Sequence, residues 1–254
     1  MKRRDAFTLT ELLVLAPITA MLGGLVLASL SGAQQTFQGA ACLSNLRQWG
    51  LALGMYCSDY HDYIPDTGGA TIPIDTDLNI NAWFNVLPSY IGNPPLTNLY
   101  NAGKIPVPGV KSVFMCPALG PSDLYYTPNM ANPFFAYAMN RLLNGVLSQA
   151  TENALYKRSV TVFPSRTVFM CDAESGTHHN YMYTDGGFLA SYTPIHNGGD
   201  NFVFVDGHAE WISFSVYNDG FTPGSEAASS EWIKTRLIYW FPCSICDKNC
   251  TPRG

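Results

Sequence analysis

The N-terminal fifth of the chain contains a long apolar stretch without charged side chains. No side chain from Leu12 to Leu46 is charged, and its most apolar part, Leu12–Leu30, is long enough as a helix to cross a hydrocarbon layer of about 30 Å. Lys2, Arg3 and Arg4 come before it. A basic flank of this kind predicts an N-terminus in the cytoplasm, with everything after about residue 34 on the far side of a membrane.

Farther along, apolar positions recur every three or four residues, which is typical of an amphipathic helix. They are Leu43, Leu46, Gly50, Leu53, Cys57 and Tyr60. The pattern predicts one helix from about residue 8 to residue 60, whose second half packs on a sheet through this stripe. Pro65 and the two glycines that follow Thr67 cannot continue it.

Beyond residue 66 the pattern is that of short strands between long irregular loops. Strand-like runs occupy 112–116, 134–139, 167–171 and both halves of 201–212, and a short helix is expected over 82–91. The sequence therefore predicts an α+β fold, in which a long N-terminal helix packs on a small antiparallel sheet with long loops.

The clearest hairpin signal is the Asp-Gly pair at 206–207, in the middle of the run 201–212. Such a pair favours a two-residue type I′ turn, which would place residues 205 and 208 opposite each other. Four side chains should then share the face that packs on the long helix. They are Phe202, Phe204, Ala209 and Trp211.

Composition narrows the class of protein. The chain has 254 residues, with 47% apolar and 13% charged side chains, which excludes a disordered protein. Its net charge of −5 and isoelectric point near 5.4 offer no basic surface to nucleic acid. Seven cysteines are too few for a disulfide scaffold and odd in number.

Three interpretations of the N-terminal segment compete. A secretory signal peptide would have a shorter apolar region and a cleavage site of the kind that Ser31-Gly32-Ala33 supplies. An ordinary signal anchor explains the length and the orientation. Neither explains Glu11, because a carboxylate inside a membrane costs roughly 2.5 kcal/mol or more and marks a functional group with a partner.

The third interpretation rests on the run Ala6-Phe7-Thr8-Leu9-Thr10-Glu11-Leu12-Leu13 behind a short basic leader. It resembles the class III signal of type IV pilins and type II secretion pseudopilins. The resemblance implies that prepilin peptidase cuts between Ala6 and Phe7 and methylates the new amino group of Phe7. It also implies that Glu11 pairs with the amine of a neighbouring pilin-like subunit during assembly.

Pattern and resemblance together divide the chain into four parts. Residues 1–6 are the class III leader peptide, 7–33 the transmembrane half of the long helix, 34–62 its amphipathic half, and 63–254 a globular exoplasmic α+β domain. The implied location is the bacterial inner membrane, crossed once, with the N-terminus cytoplasmic and the globular domain periplasmic or extracellular.

A second resemblance lies near the C-terminal hairpin. Nine residues separate His196 from Asp206 and Gly207, a spacing similar to the His-x9-Asp-Gly motif of the prepilin-type processing-associated family. The segments 42–53, 114–117 and 137–140 also resemble that family. The matches extend from the leader to about residue 211.

Spacing argues against chemistry at this motif. An extended strand from Asn201 to Asp206 separates its ends by roughly 17 Å, so His196 and Asp206 are expected to lie apart. We expect structural roles, with Asp206 and Gly207 forming the turn and His196 bonding the backbone or a neighbouring loop. The chain contains no nucleophile elbow, phosphate-binding loop or zinc-protease motif. The expectation is a protein that is not an enzyme and holds no metal or cofactor.

The tail carries Cys243, Cys246 and Cys250 at Cys-x2-Cys-x3-Cys spacing. Disulfides are the favoured fate in an oxidising compartment. Zinc binding with a fourth ligand from elsewhere is the alternative, as are free thiols. Four other cysteines are equally available as disulfide partners, namely Cys42, Cys57, Cys116 and Cys171.

The function expected from the resemblance is that of a prepilin-like structural subunit, assembled into a type II secretion pseudopilus or a type IV pilus-like fibre. Its expected partners are prepilin peptidase, other pilin-like subunits and the inner membrane, and not nucleic acid. The alternative is an anchored module whose loops between residues 66 and 200 bind a glycan or an exported protein. An anchored hydrolase is the third and weakest hypothesis.

Overall fold

Helix α1 spans Leu9–Asp59 in the computed structural model and confirms the single long helix that the apolar pattern predicts. The structure describes residues 8–68, 73–77, 79–124, 127–131, 133–140, 143, 157–173 and 194–217, with the backbone alone for 25–32. The chain divides into two units by its internal contacts, Met1–Phe37 and Gln38–Gly254.

Both ends of α1 have local causes. At the start, the Thr8 N–H donates to Glu11 Oε2 at 2.8 Å and the Glu11 N–H donates to Thr8 Oγ1 at 3.4 Å, which is a capping box. At the end, His61 and Asp62 take positive φ values of 52° and 71° and turn the chain out of the helix. The helix therefore ends before Pro65 is reached.

The expected membrane span is not found. Among the residues that the structure describes, no helix is long and apolar enough to cross a membrane. Within the apolar stretch that begins at Leu12, Pro17 and Thr19 are less apolar than their neighbours. The prediction of a single-pass inner-membrane protein is therefore wrong.

Four antiparallel strands form one sheet in the order β1-β2-β3-β4. They are β1 Tyr137–Met139, β2 Val168–Asp172, β3 Gly199–Phe204 and β4 Ala209–Ser213. The predicted α+β class with a small antiparallel sheet is confirmed. The first three strands are completely buried, whereas β4 is only partly buried.

The run 112–116 is not a strand, contrary to the prediction. It forms turns, with the Met115 N–H donating to Ser112 O at 3.1 Å. Side chains of α1 take the place of a neighbouring strand, because Asn45 Nδ2 donates to Met115 O at 3.0 Å and Trp49 Nε1 donates to Val113 O at 3.2 Å. These bonds satisfy carbonyl groups that burial would otherwise leave unpaired.

Short helices fill the loops. Helix α2 spans Trp83–Val86 and α3 spans Leu96–Asn101, and a 3-10 turn at Pro88–Ile91 completes the segment for which one helix over 82–91 is predicted. Two further 3-10 turns lie at Pro121–Asp123 and Arg158–Val160, and α4 spans Phe214–Tyr217.

The core lies between the second half of α1, the sheet and the loops. Leu46, Leu53 and Cys57 of the predicted stripe are buried in it, whereas Tyr60 is exposed beyond the helix end. Trp49 lies at the centre, with its ring 5.2 Å from that of Trp83 in an edge-on contact. Aromatic pairs of this geometry contribute about 0.5–1.5 kcal/mol beyond their burial.

The hairpin register differs from the prediction by one residue. Phe202 pairs with Glu210 and Val203 with Ala209, so Trp211 faces Asn201 and is 45% exposed. The loop has three residues, because the Phe204 N–H donates to His208 O and the Gly207 N–H donates to Phe204 O.

The turn is consequently a type I turn closed by a left-handed glycine, since Gly207 has a φ of 96° and Asp206 is not among the described residues with positive φ. A slip of one residue moves every side chain to the opposite face. Val203 and Val205 therefore belong to the core that includes α1, and Ala209 packs against it. Phe202 and Phe204 are also completely buried but lie on the opposite face of β3, and Trp211 is exposed, so the prediction that these two rings share one core face with residues 209 and 211 is wrong.

Candidate functional site

Four buried side chains that ligate metals in other proteins meet where α1, the sheet and two loops converge. They are Cys42, Cys116, Asp172 and His196, here named the Cys/Asp/His cluster. One donor atom from each lies within 4.8 Å of the donor atoms of the other three. Among the residues that the structure describes, no other group of potential metal ligands converges in this way.

Each member is placed by a different part of the fold. Cys42 lies on the buried side of α1, Cys116 in the turn before Pro117, and Asp172 at the end of β2. His196 is fixed by a tight turn in which its N–H and C=O both pair with Gly199 at 3.0 Å.

That turn contains an Asn-Gly pair with positive φ at both central residues, 50° at Asn197 and 78° at Gly198, as a type I′ turn requires. The type I′ turn of this region therefore precedes β3 and is not the one at 206–207. The Asn-Gly pair is a sequence signal that could have located it.

Short polar contacts connect the cluster. The Cys42 thiol donates to Asp172 Oδ1 at 2.7 Å, and His196 Nε2 lies 3.3 Å from both Cys116 Sγ and Asp172 Oδ2. Asp172 Oδ2 also accepts the Asn201 N–H at 2.9 Å. The Tyr137 hydroxyl lies 3.2 Å from Cys42 Sγ.

Burial and charge act in opposite directions within the cluster. Burial lowers the pKa of His196, but its contacts with Asp172 and Cys116 outweigh this and raise the pKa to about 10. Burial raises the pKa of the Cys42 thiol well above its ordinary value, and the carboxylate of Asp172 raises it further. Burial also raises the pKa of Cys116, but its contacts with Cys42 and His196 leave that pKa below the ordinary value.

The arrangement does not match a Cys-His-Asp catalytic relay. A relay needs the thiol at one imidazole nitrogen and the carboxylate at the other. Here both approach Nε2, while Nδ1 faces α1, where a Cβ at Gly39 would lie 3.5 Å from it. All four side chains are buried, so the cluster has no face open to a substrate. The donor types and their convergence fit a closed metal site instead.

The structure separates the residues of the His-x9-Asp-Gly motif. His196 lies before β3 and Asp206 after it, so the whole of that strand separates them along the chain. The Asp206 carboxylate contacts His208 Nδ1 at 2.6 Å. Gly207 packs against Gly50 of α1, where a Cβ on Gly207 would lie 3.3 Å from Gly50 O.

The proposed processing residues Ala6 and Phe7 lie outside the described residues, as do Cys243, Cys246 and Cys250. Glu11 is fully exposed, and its contacts are those of the capping box. Hydrogen bonds from Thr8 hold the pKa of Glu11 below its ordinary value.

Sequence reasoning missed the cluster as a site. Cys42 and Cys116 lie in segments that resemble the family and count as disulfide candidates, whereas no pattern in the sequence singles out Asp172. The structure instead gives Cys42, Cys57, Cys116 and Cys171 as free, buried thiols. The sequence did contain one signal for the cluster. Cys42 and Cys116 each lie in a segment that resembles the family, and His196 lies in the His-x9-Asp-Gly motif.

No protein-family model, curated protein or solved structure matches the chain. The resemblance to pilin-like proteins therefore rests on the quoted residues.

Proposed function

We propose that the chain is a pilin-like structural subunit that assembles with other pilin-like subunits through the N-terminal part of α1. The fibre would be of the kind found in type II secretion pseudopili or type IV pili. One observation carries the proposal, namely that this part of the helix exposes large apolar side chains. They are Leu9, Leu12, Leu13, Val14, Leu15, Ile18, Met21 and Leu22.

The distribution of these side chains favours several neighbours over one. Successive residues of a helix point about 100° apart, so the four residues from 12 to 15 cover every side of it. A single partner covers one face, and a helix that is apolar all round requires burial on all sides. A fibre in which each helix packs among several copies provides this.

The energetics support assembly. Burying a Leu, Val or Ile side chain fully contributes about 1.5–3 kcal/mol. Association costs an estimated 4–15 kcal/mol in lost freedom of motion, so five or six such side chains buried together offset it. Exposed apolar surface of this extent is otherwise rare on monomeric proteins.

The resemblance adds processing to this proposal. Prepilin peptidase would remove residues 1–6 and leave an N-methylated Phe7, so that Thr8 and Glu11 remain in the mature chain. The capping box that starts α1 is thereby preserved. Glu11, exposed at the start of the helix, would then pair with the amine of a neighbouring subunit.

A charge placed in the apolar segment tests the proposal. The full chain, co-expressed with prepilin peptidase, is compared as wild type, Leu13→Glu and Ile80→Glu by sedimentation and electron microscopy. Leu13 is 71% exposed and Ile80 is 59% exposed, so both variants place a carboxylate on an exposed apolar site. We expect Leu13→Glu alone to abolish assembly.

Photo-crosslinking from residue 13 distinguishes ordered assembly from aggregation. A photoreactive residue there should give a discrete ladder whose crosslinks fall within residues 9–22 of the neighbouring copy. Equal assembly of wild type and Leu13→Glu, or equal loss in Ile80→Glu, contradicts the proposal.

A further inference from the structure

We propose that the Cys/Asp/His cluster binds one zinc ion, which ties α1 to the sheet. The ligands are the sulfur atoms of Cys42 and Cys116, one carboxylate oxygen of Asp172, and Nε2 of His196. This site is independent of the proposed assembly through residues 9–22.

The spacing of the donor atoms fits a tetrahedral ion. Bonds of about 2.0–2.3 Å to zinc place tetrahedral ligand atoms about 3.3–3.8 Å apart. His196 Nε2 lies 3.3 Å from Cys116 Sγ, and one donor atom from each of the four residues lies within 4.8 Å of those of the other three. Closure around an ion requires the 2.7 Å contact between Cys42 Sγ and Asp172 Oδ1 to open by about 1 Å, and donor pairs near the 4.8 Å limit to close by about 1 Å.

The donor types select the metal. Two thiolates and an imidazole are soft or intermediate ligands, which favour zinc over calcium or magnesium. Four protein ligands in a closed site are characteristic of structural zinc, whereas catalytic zinc keeps one position for water. All four residues are buried, so the cluster corresponds to the structural type.

Neighbouring groups would hold the ligands in place. The Asn201 N–H donates to Asp172 Oδ2 at 2.9 Å, which leaves Oδ1 for the metal. Asn45 Nδ2 donates to the Tyr137 hydroxyl at 3.1 Å. That hydroxyl donates to Met115 O at 3.4 Å, and on zinc binding it would turn its proton to Cys42 Sγ, 3.2 Å away. Hydrogen bonds of this kind orient the ligands, and the loss of one typically weakens metal binding about 10- to 100-fold.

A divalent cation also solves a problem of charge. The cluster brings a carboxylate and two thiols together in a buried site. Zinc binds thiolates and a neutral imidazole, so its binding displaces the two thiol protons and the Nε2 proton of His196 to solvent, and the ion offsets the negative charge of the thiolates and the carboxylate. The Asn201 N–H and the Tyr137 hydroxyl face the charge that remains.

The test uses zinc alone with the full chain. The protein is reduced, stripped of metal with a chelator, and titrated with Zn²⁺ against a chromophoric competitor. We expect one tightly bound ion per chain in a variant in which Cys243, Cys246 and Cys250 are all serine, which removes the Cys-x2-Cys-x3-Cys tail as a source. Co²⁺ in the same variant should give the visible bands of a tetrahedral site and the near-ultraviolet bands of thiolate ligation.

Matched substitutions assign the ligands. In that background, Cys42→Ser and Cys116→Ser should each weaken zinc binding at least about 100-fold, more than loss of an orienting neighbour does. Cys57→Ser and Cys171→Ser remove buried thiols outside the cluster and should change the affinity less than about twofold. Tyr137→Phe should weaken binding by about tenfold.

Several results would overturn the proposal. The first is less than one zinc per chain in the reduced protein, and the second is binding that is lost with the three tail cysteines. A third is a Cys42–Cys116 disulfide, found by mass spectrometry of the unreduced protein, together with a reduced form that binds no zinc. The stoichiometry and the Co²⁺ spectrum need no ligand substitution, so they decide the question even if Cys42→Ser or Cys116→Ser fails to fold.

Discussion

Gly50→Ala should destabilise the protein, although the same change at Gly54 should stabilise it. Both glycines lie inside α1, where alanine is favoured over glycine by about 0.5–1 kcal/mol. A Cβ on Gly54 would meet only Arg158 Nη1 at 3.7 Å, which is an ordinary contact. Gly54→Ala should therefore raise the free energy of unfolding by up to about 1 kcal/mol.

At Gly50 the added methyl group meets backbone. It would overlap the carbonyl oxygen of Gly207 and lie 2.8 Å from Val203 Cγ2 and 3.1 Å from the carbonyl carbon of Gly207. Gly207 closes a three-residue turn with a φ of 96°, so the turn cannot yield as a flexible side chain would. Overpacking of this kind typically costs about 1–3 kcal/mol. After the gain in helix propensity, the net loss should be about 1–2 kcal/mol.

Urea unfolding of the full chain, followed by tryptophan fluorescence, measures both variants. Trp49 is completely buried beside Gly50, so its emission reports on the core that α1 forms. A change in midpoint at constant slope isolates the stability effect. If Gly50→Ala proves as stable as Gly54→Ala, the close packing of α1 on the hairpin turn is refuted.

Three further predictions concern single hydrogen-bonding groups. The Asp62 carboxylate accepts a backbone N–H at 2.6 Å, so Asp62→Asn should cost about 0.5–1 kcal/mol at pH 7, and less at pH 3, in urea unfolding. Trp211 Nε1 donates to His196 O at 2.8 Å, so Trp211→Phe should cost about 1 kcal/mol by the same measurement. Asn85 Nδ2 donates to two backbone carbonyls at 2.9 and 3.0 Å while Oδ1 accepts from Thr97, so Asn85→Asp should cost about 2 kcal/mol, and Asn85→Ala more.

The pH dependence at Asp62 follows from the direction of its pKa shift. Burial raises the pKa of Asp62, but hydrogen bonds from Ser159 and the charge of Arg158 outweigh it and leave the pKa below its ordinary value. A carboxylate with a lowered pKa stabilises the fold above the unfolded pKa of about 3.9, and this stabilisation is lost as the pH falls through the folded value. Asparagine also tolerates the positive φ of this position. An Asp62→Asn deficit that is equally large at pH 3 would contradict this explanation.

The other two predictions have their own contrary outcomes. Removing a large side chain from a core typically costs about 3 kcal/mol or more. A loss of that size in Trp211→Phe would therefore indicate that the Trp211 ring is buried, as the hairpin pattern predicts. An Asn85→Asp variant as stable as wild type would show that the two carbonyl contacts contribute nothing.

The sequence by itself determined what depends on local periodicity. Apolar spacing located α1 to within a residue at each end, and short apolar runs located β1 and β2. These elements are specified by residues close together in the chain, whose side chains recur with the period of the helix or strand they form. The α+β class follows from the order of such elements.

Tertiary structure decided what depends on contacts between distant segments. The run 112–116 has the apolar composition of a strand, but Asn45 and Trp49 of α1 bind its carbonyls and it remains a turn. At 206–207, Asp-Gly is compatible with more than one turn, and the packing of Gly207 against Gly50 accompanies the three-residue form. That choice shifted the register by one residue, so that Val203 and Val205, and not Phe202 and Phe204, share the face of Ala209.

The Cys/Asp/His cluster shows the same limit most clearly. Cys42 and Asp172 are 130 residues apart in the chain, and Cys116 and His196 are 80 residues apart, yet their side chains meet. No periodic pattern connects residues at such separations, because their meeting depends on how α1 lies on the sheet and on the turn that fixes His196. The sequence supplied two thiols, an imidazole and a carboxylate, and only the packed fold brought them to one point.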